Sequence, residues 1–247
     1  MFANIERSPQ RYARVCGVFY LAIILLGMFG ELAVRGTLVV PGDAAATANA
    51  ISASPSLWRV GIVGDLMMQV LDVPVIVIFY FLLRPVSRSL ALFATLINLV
   101  QTAVLVANKL NLVVPLLLLG DASYLKIFAP EQLHALTYLA IQAHGFGFGI
   151  GLLFFAFACL IQGYLMSQSG YFPKVLGWLL VMAGLSYLIN SLALLLAPAV
   201  ASAIFPGILM PAFVGELSVS VWMIIKGVNS QQAGGMERAS HAHEVSR

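Results

Sequence analysis

Glu31, Asp65, Asp72 and Glu216 are the residues whose type and setting could do chemistry, because each falls inside or at the rim of a long apolar run. An ionisable side chain in hydrocarbon is costly, and where one is kept it commonly serves an ion path, a proton relay or a ligand site. Asp65 and Asp72 are seven residues apart, so on a helix they return to nearly one face, about 10 Å apart along the axis. Gly61, Gly64 and Met68 share that face. Asn98, Gln101 and Asn108, spaced by three and seven, form a second polar stripe, with Lys109 about 100° to its side. His144 lies on a face shared with Gly147 and Gly151, Asn190 follows Tyr187, and Glu216 shares a face with Ser220. Glu31, Asp65, Asp72, Asn108, Lys109, His144, Asn190 and Glu216 are therefore the candidate ligand-binding residues.

Three chemistries suit such a set. Acids outnumber cations within the apolar runs, with Lys109 the one cation well inside. A pocket of that charge is expected to bind or transport a small cation, an amine or a lipid headgroup. A second reading is an intramembrane enzyme acting on a lipid or isoprenoid, with a carboxylate or His144 as general acid or base. A metal held by Asp65, His144 and Glu216 would assist that enzyme, although no HExxH, paired-histidine or CxxC pattern marks a metal site. The third is a structural or accessory subunit whose polar groups only lock helices together. No catalytic residue or cofactor is singled out by a motif.

Six apolar segments must position these side chains. They run from about Arg14 to Val34, Leu57 to Leu83, Ser89 to Leu119, Glu131 to Met166, Val175 to Leu196 and Gly207 to Val228. With 61% hydrophobic and only 9% charged residues, the chain reads as all-α and polytopic. Apolar runs of about 20 residues or more are what a bilayer requires, and only helices satisfy their own backbone over such lengths in lipid. The expected organisation is an N-terminal cytoplasmic segment over 1–13, a six-helix membrane domain over 14–228 and a disordered cytoplasmic tail over 229–247. Arg7, Arg11 and Arg14, then Arg84 and Arg88, then Lys174, then Lys226, Arg238 and Arg247 fall on one side. Arg35, Arg59 and Lys126 fall on the other, so both termini are expected in the cytoplasm of a bacterial inner membrane. Glu31 and Arg35 stand where a cleavage site would follow a signal peptide, which makes the first segment a retained span.

The outer loops carry their own signals. In VPGDAAATANAISASP, Asp43 stands as N-cap to a short surface helix that Pro55 ends. In GDASYLKIFAPEQ a short turn precedes Pro130, which starts the fourth span. Trp58, Trp178 and Trp222 sit near span ends, as interface anchors would. Gly145-x-x-x-Gly149 and Gly147-x-x-x-Gly151 permit close helix approach on two faces. Cys16 and Cys159 read as packing residues. The small positive charge forms no basic stripe, so nucleic acid is not an expected partner; the bilayer is, with oligomerisation left open.

The blocks VPGDAAATANAI, LWRVGIVGDLMMQVLDV, RPVSRSLALFATLINLVQ, HGFGFGIGLLFF, GYFPKVLGWLLVMAGLSYLINSL and GELSVSVWMIIKGV resemble a bacterial membrane family. It is the family known as domain-of-unknown-function family 4386, and the resemblance covers about Arg11 to Val228. It implies a bacterial multi-helix membrane protein and no particular reaction. The matching blocks include Asp43, Asp65, Asp72, His144, Asn190 and Glu216.

Overall fold

The structure is a computed structural model that describes residues 8–228. The expected disordered tail, with His241 and His243, lies outside the described residues. Among the described residues there is no strand, and six helices are long and apolar enough to cross a membrane. The chain is a multi-pass membrane protein.

Pro9 opens α1 (Pro9–Met28), where a proline at the first helical position loses no hydrogen bond. The span continues through a π-helical turn, Phe29–Arg35, to Gly36–Leu38. The short outer helix is present as α2 (Ala44–Ala53), with the Asp43 carboxylate accepting from the Ala46 amide at 2.8 Å. Pro55 ends it and starts the next span, α3 (Pro55–Leu83). The third span is interrupted. α4 (Arg88–Asn108) meets α5 (Leu110–Leu118) at Lys109, where bonds from Lys109 to the Val106 carbonyl and from Leu112 to the Lys109 carbonyl tighten the backbone. α6 (Pro130–Gln168) is the long fourth span, followed by α7 (Lys174–Leu196). A short α8 (Pro198–Ile204), not anticipated from sequence, precedes α9 (Met210–Ile225).

The spans pack as a closed ring: α1 on α3, α3 on α4, α4 on α6, α6 on α7, α7 on α9, and α9 back on α1. One end of the ring, the near end, carries the start of α1, the 84–87 and 169–173 turns and the end of α9. Gln10 on α1 ties the last of these down, donating to the Lys226 carbonyl at 2.7 Å and accepting from the Val228 amide at 2.8 Å. The other end, the far end, carries α2 and the 119–129 connection. The near half of the interior is apolar, built around Tyr20, Phe79, Leu180 and Met223, with Cys16 and Cys159 buried in it.

Small residues set the spacing. A Cβ on Gly177 would lie 2.6 Å from the Ser167 backbone nitrogen, and one on Gly163 would lie 2.8 Å from the Val181 nitrogen, so α6 and α7 touch backbone to backbone. The two expected glycine faces of α6 are both used. Gly147 and Gly151 admit Asn108 and Leu105 of α4, while Gly149 admits Leu194 of α7. Trp58 corrects its expected interface role. It is 1% exposed, packed with Leu112, and its indole N–H donates to the Leu112 carbonyl at 2.8 Å. A buried indole must find an acceptor, and a neighbouring span supplies it.

Candidate functional site

Asp65 is the centre of the arrangement. It is 1% exposed on the inward face of α3. Gly30, within the π-turn of α1, makes room for it, since a Cβ there would collide with the Asp65 carboxylate. Gly61, one turn away, admits Val34 in the same manner. The π-turn brings Arg35 round to the same carboxylate, its Nη1 2.8 Å from Asp65 Oδ2. Lys109, placed by the α4–α5 interruption, puts Nζ 2.9 Å from that same oxygen. Arg35 also holds Glu31 at 2.8 Å, one turn back along the chain.

His144 on α6 completes the cluster, with Nε2 3.3 Å from Lys109 Nζ. An ammonium only donates, so this contact requires Nε2 to be the bare ring nitrogen. Phe148 stacks on the imidazole, and Lys109 Nζ lies 5.9 Å from the Phe148 ring centre, within the range of a cation–π attraction. Asn108 donates to the His144 backbone carbonyl at 2.9 Å and accepts from Asn111 at 2.9 Å. Glu31, Asp65, Asn108, Lys109 and His144 thus form one group. Its charges balance, two carboxylates against two cations, because Arg35 turns inward instead of standing in the outer loop. Beside it Val34, Arg35, Trp58, Gly61, Ile62 and Leu112 pack closely and leave no cavity that would hold a water molecule.

The other acids sit apart from this group. Asp72 is two turns nearer the opposite end and accepts from the Thr102 hydroxyl at 2.5 Å. Glu216 is held by the Tyr187 hydroxyl and faces Tyr20. Asn190 is half-buried on α7, and among the described residues no hydrogen bond ties it to either group. No cluster of three or more His, Cys, Asp or Glu side chains able to hold a metal occurs among the described residues. The expected donor set of Asp65, His144 and Glu216 is not assembled, because Asp65 and His144 converge on Lys109 while Glu216 faces tyrosines.

The chain matches, over residues 15–227, the family described as "Domain of unknown function (DUF4386)". It belongs to that family. An uncharacterized protein of Archaeoglobus fulgidus is 29% identical over 179 residues, covering 72% of this chain and 88% of that protein. No solved structure gives a significant match. In this member of the family the candidate residues that came together are those of the second, third and fourth spans with the end of the first.

Sequence reasoning missed Arg35, Gln69, Thr102 and Phe148. Two had visible signals. Arg35 stands four residues after Glu31, the spacing of a helical ion pair, and Gln69 stands four after Asp65 on the stripe that ends at Asp72.

Proposed function

We propose that this protein binds, and passes through the bilayer, a small cation, amine or lipid headgroup, with Asp65 as the exchangeable ligand. The supporting observation is that two cations, Arg35 and Lys109, share one buried oxygen, Asp65 Oδ2. One carboxylate oxygen serving two cations can give one of them up to a ligand's positive charge. Arg35 is the one to leave, because Glu31, at the exposed rim, already holds it. Arg35 also belongs to a π-turn, a local irregularity that recurs at functional sites and whose register can shift. On this reading the structure is the closed, internally paired state.

The orientation follows the positive residues. Arg11, Arg14, Arg84, Arg88, Lys174 and Lys226 lie at the near end, against Arg59 and Lys126 at the far end once Arg35 is turned inward. The near end with both termini faces the cytoplasm of a bacterial inner membrane, and the Asp65 group opens outward. The test is thermal stabilisation of the detergent-solubilised protein by a panel of small amines, with tetramethylammonium, ethanolamine and choline as first probes. A saturable rise in melting temperature, absent in Asp65→Asn, supports the reading. No rise with any member of the panel argues for a second reading, an accessory subunit whose polar groups only fix packing. The balance of charge in the Asp65 group is what favours that rival.

A further inference from the structure

The ring of six spans is incomplete at the level of the Asp65 group. Leu194 of α7 reaches Gly149 of α6, and α7 stops at Leu196. His144 stands five residues further out on α6, about 7 Å along the axis. α9 reaches no further than α7. Glu216 meets Tyr187, and from that contact α9 extends outward only to Met210, while α7 runs on to Leu196. The short α8 folds back on α7. In place of these two spans, α2 closes the outer part of the ring. It packs on α6 and touches Gly36–Leu38 and α3.

α2 is lightly held. Its buried residues are Thr47, Ala48 and Ile51. The Thr47 hydroxyl is occupied within the segment, accepting from the Val40 amide at 2.9 Å and donating to the Val40 carbonyl at 3.2 Å. Ile51 is therefore the one large apolar side chain that α2 inserts. It packs with Val34, Trp58, Ile62 and Leu112, the residues that close around Arg35. A polar latch joins the start of this segment to α6, where the Gly42 amide donates to the Tyr138 hydroxyl at 2.8 Å. Outward, α2 shows Ala45, Asn49 and Ser52, a face suited to water and not to hydrocarbon.

Both ends of the segment are jointed. Gly42 has φ +78°, the left-handed conformation that glycine adopts freely, with open space where a Cβ would stand. Ser54, with φ −135° and ψ 52°, is the single residue between α2 and α3. Pro55 has no amide hydrogen, so the bond back to Ile51 that would join the two helices into one is missing. Segments with few buried apolar contacts open locally, ahead of global unfolding.

We propose that α2 is a gate over the Asp65 group. It swings out as one piece on Gly42 and Ser54, withdraws Ile51, and opens the Arg35–Asp65 pair to a small cation from the outer aqueous side. What the gate admits rests on the reading of Asp65 as a ligand; its opening does not.

The experiment is labelling of introduced cysteines, in the full chain in detergent, by a water-soluble cationic methanethiosulfonate, followed by mass. Leu112→Cys is the reporter, 1% exposed on α5 behind the native Ile51. Met223→Cys, 0% exposed in the near half, is the control, and Cys16 and Cys159, both 0% exposed, set the background. Leu112→Cys should react about tenfold faster than Met223→Cys, or more. Adding Tyr138→Phe should speed Leu112→Cys about two- to tenfold, the equivalent of one hydrogen bond, and leave Met223→Cys unchanged. Amide exchange of the unaltered protein gives a readout that needs no variant, with Ala44–Ala53 exchanging together and before the interior of α3. A Leu112→Cys rate equal to that of Met223→Cys, or one that Tyr138→Phe leaves unchanged, overturns the proposal. A gate that opens in a protein that no amine stabilises keeps this proposal and sinks the reading of Asp65. Stabilisation by an amine, with α2 protected as firmly as α3, keeps that reading and sinks the gate.

Discussion

Replacing Asp65 with asparagine keeps the shape of the side chain and removes the one buried charge that two cations share. Lys109, 3% exposed, then has His144 and Phe148 for company but no anion. Arg35 keeps only Glu31. Removing one partner of a buried ion pair costs roughly 3–5 kcal/mol, chiefly by leaving the other charge buried and unpaired. At about 2–4 °C per kcal/mol for a chain of this size, the melting temperature should fall by about 6–20 °C. Glu31→Gln is the matched control. It also breaks an ion pair with Arg35, but the Glu31 side chain is 60% exposed, and helical surface pairs contribute only about 0.3–0.5 kcal/mol. The double variant Asp65→Asn with Lys109→Met removes both the charge and its stranded partner, and should recover much of the loss, since an apolar group of similar size often replaces a buried ion at little cost. Cys16 and Cys159 are fully buried, so a thiol-reactive fluorophore reports unfolding directly. If Asp65→Asn and Glu31→Gln shifted the transition equally, or if the double variant were as unstable as Asp65→Asn with Lys109→Met simply added, the argument that burial makes this pair matter would be wrong.

Other substitutions test the packing. Gly177→Ala would press a methyl against the Ser167 backbone and should cost about 1–3 kcal/mol, whereas Gly145→Ala, with open space around it, should gain up to about 1 kcal/mol from helix propensity; the two melting shifts should have opposite signs. Trp58→Phe removes the donor to the Leu112 carbonyl and should destabilise by about 1–3 kcal/mol, with no loss if Trp58 were a lipid-facing anchor. Asp43→Ala takes away the N-cap of α2 and should cost about 0.5–2 kcal/mol locally, seen as faster amide exchange over Ala44–Ala53 while α3 is unchanged.

The spans were legible because hydrocarbon leaves the backbone few options: a run long and apolar enough must be a helix, and Pro9, Pro55 and Pro130 start three of them where proline loses nothing. Asp43 was legible as a cap because an N-cap is a local contact three residues long. The paired glycine faces of α6 were legible because helical periodicity alone tells which residues share a side. What the sequence left open was which charged residue meets which. Arg35 reads as a loop cation by position, yet the π-turn carries it back to Asp65; the energy of that choice lies in a carboxylate two spans away, so no local pattern announces it. Trp58 reads as an anchor until the Leu112 carbonyl is found beside it. The four acids read as one pocket because all fall inside or at the rim of the spans, whereas Asp72 stands two turns away from Asp65 along the same helix face; Glu31 and Asp65 meet at Arg35, Asp72 meets Thr102 and Glu216 meets Tyr187. Periodicity determines the face and depth of a residue from sequence alone. The azimuth of one helix against the next, and with it the partner of every buried charge, is set only when the whole ring closes.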